Sequence, residues 1–153
     1  MCRLFADDSS LQSTCNNLQT LENNLNHDLQ QLEVWSQKWL LQFNPQKTKA
    51  VFFTNSPNIT TPNLIFRQCP LEFVMHHKHL GVIFSQNLSW SYCFDSILSK
   101  VKTKWGLMKK LKFKLSRKTL SLMYTTFVRP ILEYASEVWG GCNQTDAEKL
   151  EKL

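Results

Sequence analysis

Two adjacent aspartates near the amino end, Asp7 and Asp8, are the first residues that could carry chemistry. They lie in the stretch RLFADDSSL, between a short apolar run and two serines. Neighbouring carboxylates repel each other, and Mg²⁺ relieves that repulsion because it binds one or two carboxylates together with substrate phosphates. An ordinary solvated turn would also explain the pair. At this point the sequence therefore predicts either a polar turn or a divalent metal site at Asp7 and Asp8.

A block of positive charge in residues 100–118 is the second chemical feature. The chain has 153 residues and a formal net charge of +6. Like charges along one helix repel each other, and a phosphate-rich partner would relieve them. The block therefore predicts nucleic-acid binding, and the alternative is a solvated helix face. Residues 100–118 contain nine basic side chains and no acidic one, namely Lys100, Lys102, Lys104, Lys109, Lys110, Lys112, Lys114, Arg117 and Lys118.

Histidines and cysteines raise the question of zinc. His77 and His79 would share one face of a strand, and Cys69 precedes them. The chain nevertheless has no compact Cys/His quartet of the finger or ribbon type. We therefore expect histidines that are exposed or that lie near phosphates rather than a zinc site.

The cysteines and the lack of a long apolar run indicate the cellular compartment of the protein. The five cysteines have no C-x-x-C spacing, which fits a reducing compartment better than a disulfide framework. No apolar run approaches the roughly 18 residues needed to cross a bilayer, and the first residues do not resemble a signal peptide. We expect an intracellular protein, cytoplasmic or nuclear, that is not secreted and has no membrane partner.

The elements that must position these groups begin with a hairpin and a long helix. Residues 3–6 and 9–12 flank the aspartates as short arms, which predicts a tight β-hairpin. Apolar residues from Leu18 to Trp39 then recur every three or four positions, which predicts an amphipathic helix. This helix is expected to end near Pro45, because a proline disfavours a helical conformation at the residue before it.

Strand signals follow the helix. Residues 49–54 predict a buried strand, and residues 63–75 predict two strands around a turn at Cys69–Pro70. Residues 79–84 predict a third, and residues 55–63 read as a surface loop with two prolines. Together they predict a small antiparallel sheet packed by the first helix.

From about Ser91 the apolar pattern is helical again. Ser116 is a candidate N-cap for a second helix, which Pro130 should kink or end. The segment ILEYASEVW, residues 131–139, is expected to continue as helix until the Gly-Gly pair that follows it.

Four motifs in this order resemble the reverse transcriptases of non-LTR retrotransposons, of LINE type and jockey-like. They are LFADD, WLLQFNPQKTKAVFF, HHKHLGVIFSQNLSW and LMYTTFVRPILEYASEVW, and they span essentially the whole chain. The resemblance implies an α+β fold. Residues 1–92 would be the C-terminal part of a polymerase palm, with the β-hairpin, the long helix and the small antiparallel sheet. Residues 93–153 would be an all-helical thumb, truncated at its end.

The resemblance also implies roles for individual residues. Asp7 would bind the catalytic metals, Mg²⁺ or Mn²⁺, and Asp8 would be a nearby supporting carboxylate. Lys47 matches the lysine of an Asn-x-x-Lys-Thr segment that faces the triphosphate and helps protonate the departing pyrophosphate. His79 and Gly81 match a hairpin that holds the primer end, and the basic block would grip the template–primer duplex.

The implied reaction is RNA-templated DNA synthesis, in which a primer 3′-hydroxyl attacks a deoxynucleotide. The partners of the parent enzyme would be an RNA template, a DNA primer and deoxynucleotides. In the family, the fingers and a further metal-binding aspartate precede the FADD motif, and only Met1 to Leu4 precede it here. We therefore expect that this chain alone neither polymerises nor holds the metal stably. Two alternatives remain open: a non-catalytic basic nucleic-acid-binding module without a role for Asp7 and Asp8, and the translated relic of a decayed element.

Overall fold

A computed structural model describes residues 2–56 and 60–151 and divides the chain into two units, Met1–Met75 and His76–Leu153. Each unit has its own cluster of buried apolar side chains. The division into a palm portion at 1–92 and a thumb at 93–153 stays a prediction. Within the predicted loop at 55–63, residues 57–59 lie outside the described residues.

The β-hairpin predicted around the two aspartates is present. Strands β1 (Cys2–Phe5) and β2 (Asp8–Leu11) are antiparallel, and Phe5 is paired with Asp8. Ala6 and Asp7 therefore form a two-residue turn, in which Ala6 has a φ of 52°. Tight hairpin turns need such positive φ values to match the twist of their strands.

Helix α1 (Leu18–Lys38) begins where the sequence predicts and ends earlier than predicted. The Asn17 side chain caps it by accepting a hydrogen bond of 2.8 Å from the Gln19 N–H. The helix ends at Lys38 rather than near Pro45, because Leu40 adopts a left-handed conformation with a φ of 54°. A left-handed residue just beyond the last turn terminates a helix before any proline has to.

The described strands of residues 49–56 and 60–85 pair two by two rather than as one small antiparallel sheet. Strand β3 (Lys49–Ala50) pairs in parallel with β6 (Glu72–Phe73), and an ion pair between Lys49 and Glu72 joins them. Strands β4 (Ile65–Phe66) and β5 (Cys69–Pro70) form a separate antiparallel pair. Strands β7 (His76–His79) and β8 (Val82–Ser85) form another, in the second unit.

The turn between β4 and β5 lies at Arg67 and Gln68, two residues before the predicted position. Both residues have positive φ values, 51° and 63°. The guanidinium of Arg67 donates hydrogen bonds to the Phe43 carbonyl at 3.0 Å and to the Ser36 hydroxyl at 3.2 Å. These tertiary hydrogen bonds offset the cost of a left-handed arginine, which local sequence preference alone would not predict.

Helix α2 (Ser91–Leu111) is the centre of the second unit. Its buried face carries apolar side chains at helical spacing, as the sequence predicts. That face packs against Val82 of β8, Val128 and Trp139. The buried residues of α2 are Cys93, Phe94, Ile97, Leu98, Val101 and Met108.

Shorter helices follow α2. Helix α3 (Arg117–Met123) starts at the predicted cap, because the Ser116 hydroxyl accepts a hydrogen bond of 3.1 Å from the Thr119 N–H. A π-helix (Tyr124–Val128) then leads into helix α4 (Arg129–Glu133). Pro130 lacks an N–H and its ring crowds the carbonyl four residues earlier, and the widened π turn accommodates both effects. Pro130 therefore changes the helix without ending it.

The expectation of an unbroken helix over 131–139 is wrong. Tyr134 is extended, with a ψ of 122°, and Ala135 is left-handed, with a φ of 53°. A new helix, α5 (Ser136–Trp139), begins after them and ends before Gly140, as predicted. The indole N–H of Trp139 donates a hydrogen bond of 3.0 Å to the Tyr134 carbonyl, so the break is held by a side chain.

Helix α6 (Gln144–Glu151) is anchored to α2 by a buried carboxylate. Asp146 is only 1% exposed. It accepts hydrogen bonds from the Ser91 hydroxyl at 3.1 Å and from the Lys149 ammonium at 2.9 Å. The hydrogen bond from Lys149 to Asp146 raises the pKa of that lysine, and the carboxylate charge adds to the effect. A paired, hydrogen-bonded carboxylate can be buried where a lone one could not.

All five cysteines are free thiols. Cys2, Cys15 and Cys69 are exposed, Cys142 is half-buried and Cys93 is buried. None of the helices within the described part of the chain is long and apolar enough to cross a membrane.

We predict that Phe94→Ala destabilises the second unit by about 3–5 kcal/mol, the usual cost of deleting a buried aromatic side chain. Phe94 is 0% exposed, and its ring packs edge-on against Trp139 with centroids 5.2 Å apart. Urea unfolding measures the change. Phe113→Ala is the matched control: its ring is 88% exposed, and we expect it to cost less than about 1 kcal/mol. Equal losses in the two variants would contradict the assigned core.

Candidate functional site

The two aspartates occupy the tip of the β1–β2 hairpin. Asp7 lies in the turn and Asp8 is the first residue of β2, and both are exposed. Carboxylate oxygens are the hard ligands that Mg²⁺ and Mn²⁺ prefer, so the pair fits such an ion as one side of a site that substrate phosphates would complete. No group of three or more metal-binding side chains occurs in the ranges 2–56 and 60–151.

Lys47 lies on a turn that Asn44 builds. The Asn44 side-chain oxygen accepts hydrogen bonds from the N–H groups of Gln46 at 3.0 Å and of Lys47 at 3.4 Å. Its backbone carbonyl accepts from the Thr48 hydroxyl at 2.9 Å. In the Asn-x-x-Lys-Thr segment, the asparagine and threonine thus stabilise the loop, and they leave the Lys47 side chain exposed.

The β7–β8 turn is the hairpin singled out by its Leu-Gly pair. Leu80 and Gly81 both have positive φ values, 47° and 84°. Two successive left-handed residues define a tight hairpin turn. Glycine adopts this backbone conformation without steric cost, whereas leucine does not. Gly81 is exposed, whereas His79 is half-buried at the end of β7.

The two histidines considered for zinc lie on one face of β7. Their rings are stacked with centroids 6.5 Å apart. Cys69 belongs to the first unit, whereas His77 and His79 belong to the second. The described ranges contain no third metal-binding side chain grouped with them.

The basic block is a solvent-facing surface. All nine of its side chains are exposed, and none forms an ion pair within residues 2–56 and 60–151. Two of these cations lie over aromatic rings in cation–π geometry. The Lys109 ammonium lies 6.0 Å from the centroid of Trp105, and the Lys112 ammonium lies 4.6 Å from that of Phe113. We call these nine exposed side chains of residues 100–118 the basic face.

A pocket of about 240 Å³ in the second unit brings the hairpin turn and the basic face together. Gly81 and Lys100, which sequence reasoning named separately, both line it. Tyr134 lines it too, and the sequence pattern missed this residue because it read 131–139 as one helix. The remaining lining residues are Val82, Cys93, Ile97, Pro130, Ile131 and Trp139.

Three curated proteins are similar to this chain. It is 25% identical to a probable RNA-directed DNA polymerase from transposon BS of Drosophila melanogaster, over 97% of the chain. It is 28% identical to the RNA-directed DNA polymerase from mobile element jockey of Drosophila funebris, again over 97% of the chain. It is 23% identical, over 78% of the chain, to a probable RNA-directed DNA polymerase from transposon X-element of Drosophila melanogaster.

These similarities confirm the resemblance to RNA-directed DNA polymerases of jockey-like transposable elements that the four motifs indicate. The chain spans 17%, 16% and 13% of the lengths of these relatives. No family model matches the sequence, and no solved structure matches it.

We predict that Asn44→Ala loosens the turn that presents Lys47. The substitution removes the acceptor for the Gln46 N–H, which should cost this turn about 0.5–2 kcal/mol, as loss of a comparable side-chain cap does. The Lys47 N–H keeps the Asn44 backbone carbonyl at 3.2 Å as an acceptor, so faster amide hydrogen exchange at Gln46 is the expected result. Asn44→Asp keeps an acceptor oxygen and should exchange as the parent does. Unchanged exchange in Asn44→Ala would show that the turn is held by other contacts.

Proposed function

We propose that this chain is the palm-and-thumb portion of a reverse transcriptase from a non-LTR, jockey-like retrotransposon. In the parent enzyme it would act on an RNA template, a DNA primer and deoxynucleotides, in the cytoplasm or the nucleus. The observation that carries the proposal is the similarity, over 97% of the chain, to RNA-directed DNA polymerases of transposable elements. The basic face supports the nucleic-acid contact that such a polymerase needs, because its nine exposed cations find no acidic partner within the described residues.

The basic face is suited to a duplex because it binds charge rather than sequence. Lysine and arginine side chains neutralise phosphates and release condensed counterions, which gives affinity that falls steeply with salt. Phosphate contacts position a protein on nucleic acid without reading its bases. A polymerase must bind every sequence it copies, so this kind of contact fits template–primer binding.

The first unit would contribute to the chemistry. Asp7 and Asp8 would hold Mg²⁺ or Mn²⁺, which when bound supplies electrostatic stabilisation to the phosphate oxygens that change charge. Lys47 presents an exposed ammonium on a hydrogen-bonded turn. Such a cation stabilises charge that develops on a leaving pyrophosphate and can donate a proton to it.

We further propose that this chain alone does not polymerise. The resemblance implies a further metal-binding aspartate beside these two, and the described ranges offer no third ligand grouped with them. The chain also spans only 17% of the length of the transposon BS polymerase to which it is similar. Primer extension by the purified chain in the presence of Mg²⁺ would overturn this part of the proposal.

The alternative is a non-catalytic nucleic-acid-binding module. It is favoured by the same basic face and assigns no role to Asp7 and Asp8. Because both functions require duplex binding, only the aspartates distinguish them. The two experiments below therefore test the basic face and the carboxylates separately.

We predict that reversing four charges of the basic face, Lys102, Lys104, Lys109 and Lys110 each to Glu, raises the Kd for an RNA–DNA hybrid by more than about 100-fold. Each phosphate contact that is lost should also reduce the salt slope of log Kd by about 1. Fluorescence anisotropy over a range of salt concentrations measures both quantities.

A single-charge comparison controls for general electrostatics. Lys104→Glu should weaken binding, whereas Lys38→Glu, the same change at an exposed lysine of α1, should have little effect. Equal losses from these two variants would show that net charge, and not this surface, drives binding, and the proposal would fail.

We predict that Asp7→Ala weakens binding of Mn²⁺ at the hairpin tip by roughly tenfold or more, because one of two anionic ligands is lost. The readout is paramagnetic broadening of the amide signals of residues 6–9 during a Mn²⁺ titration. Glu137→Ala, which removes an exposed carboxylate of the second unit, is the control and should leave the broadening unchanged. Broadening that persists in Asp7→Ala, combined with duplex binding by the basic face, would favour the non-catalytic module.

A further inference from the structure

The β7–β8 turn holds a leucine in a conformation that it does not favour. Leu80 has a φ of 47°, in the left-handed region. Bulky residues other than glycine, asparagine and aspartate rarely adopt this conformation, and those that do are held by their surroundings. The two-residue turn of the hairpin requires this positive φ, and a contact from outside the hairpin adds to what holds Leu80 in place.

That contact comes from Tyr134. Its hydroxyl donates a hydrogen bond of 2.6 Å to the Leu80 carbonyl. Its ring lies against the next residue, since a Cβ added at Gly81 would lie 3.0 Å from Cε1 of Tyr134. The turn is thus held by a hydrogen bond at Leu80 and by close ring contact at Gly81.

Tyr134 is itself fixed by the break between α4 and α5. The left-handed Ala135 ends the helical run, and the indole N–H of the buried Trp139 donates to the Tyr134 carbonyl. This backbone arrangement directs the tyrosine side chain to the hairpin rather than along a continuous helix. Tyr134 is nevertheless 55% exposed, so the hydrogen bond of its hydroxyl, rather than burial of its ring, is what ties it to the hairpin.

We infer that Tyr134 is a positioning residue for nucleic-acid binding. By fixing the Leu80–Gly81 turn, it keeps Gly81 at the pocket that Lys100 also lines. The exposed turn and the first cation of the basic face then act on the same stretch of sugar-phosphate backbone. The inference rests on the proposed duplex binding and adds a residue that increases the affinity for the duplex.

The first test measures the turn in the free, full-length chain. Tyr134→Phe removes the hydroxyl and keeps the ring, so amide hydrogen exchange in the β7–β8 turn should accelerate about two- to tenfold, the range expected for one hydrogen bond. Tyr124→Phe is the matched control, since no hydrogen bond of the Tyr124 hydroxyl occurs within the described ranges. Its exchange rates should equal those of the parent.

The second test measures binding to an RNA–DNA hybrid. Tyr134→Phe should raise the Kd about two- to tenfold and leave the salt slope unchanged, because no cation is removed. Lys100→Gln should instead reduce the slope by about 1. Partial unfolding would also raise the apparent Kd without a change in slope, because it only lowers the fraction of binding-competent chain. Circular dichroism at the assay temperature therefore has to show that each variant is as fully folded as the parent.

A double-mutant cycle decides whether Tyr134 acts through the turn. Gly81→Ala strains the backbone and pushes a methyl group into the Tyr134 ring. It should therefore displace the turn even when the Tyr134 hydroxyl is present. If the tyrosine acts through the turn, the double variant binds no more weakly than Gly81→Ala. Additive losses would overturn the inference, as would an unchanged Kd in Tyr134→Phe.

Failure of the inference and failure of the proposed function give different results. A parent chain that binds the hybrid while Tyr134→Phe is silent keeps the proposed function and refutes the role of Tyr134. A parent chain that binds no hybrid at any salt concentration refutes the proposed function, and the positioning role with it, even if the exchange rates change.

Discussion

The burial of one face of α2 is the constraint on which the second unit depends. Phe94, Ile97 and Val101 commit that face to the core, and β8 and the later helices pack against it. Because an α-helix turns once every 3.6 residues, burying this face fixes which side chains of α2 point outward. The five lysines of α2 fall on its remaining faces, so the core and this part of the basic face are set by the same packing. Lys100 reaches the pocket for the same reason.

The first unit is held together more by side chains that bind backbone than by a sheet. Asn26 donates to the Asn63 carbonyl and accepts from the Ile65 N–H, both at 2.9 Å, which joins α1 to β4. Arg67 and Asn44 act in the same way at their own turns. Such bonds satisfy backbone groups that short strands leave unpaired. They allow a hydrogen-bonded, exposed loop at Lys47 without a continuous strand ladder beneath it.

Sequence periodicity predicted the elements whose cause is local. The hairpin at Asp7, the cap at Ser116 and the apolar faces of α1 and α2 were all predicted correctly. Where a tertiary contact overrides local preference, the pattern failed. Arg67 is left-handed because distant atoms hold its guanidinium, and the break at Ala135 depends on the indole of Trp139. The pocket depends on that break, so no spacing rule could have joined Gly81, Lys100 and Tyr134. The palm and thumb assignment rests on motif order and stays a prediction.

The uneven exposure of the cysteines has a practical consequence. Maleimide dyes react with accessible thiols, and Cys2, Cys15 and Cys69, all exposed, belong to the first unit. In the second unit, Cys93 is sealed in the core and Cys142 is half-covered. Brief labelling of the native chain would therefore place a fluorophore on the unit that carries the aspartates and leave the lysine-rich helices unmodified. Replacing two of the three exposed cysteines by serine would leave a single labelling site without the introduction of a new cysteine.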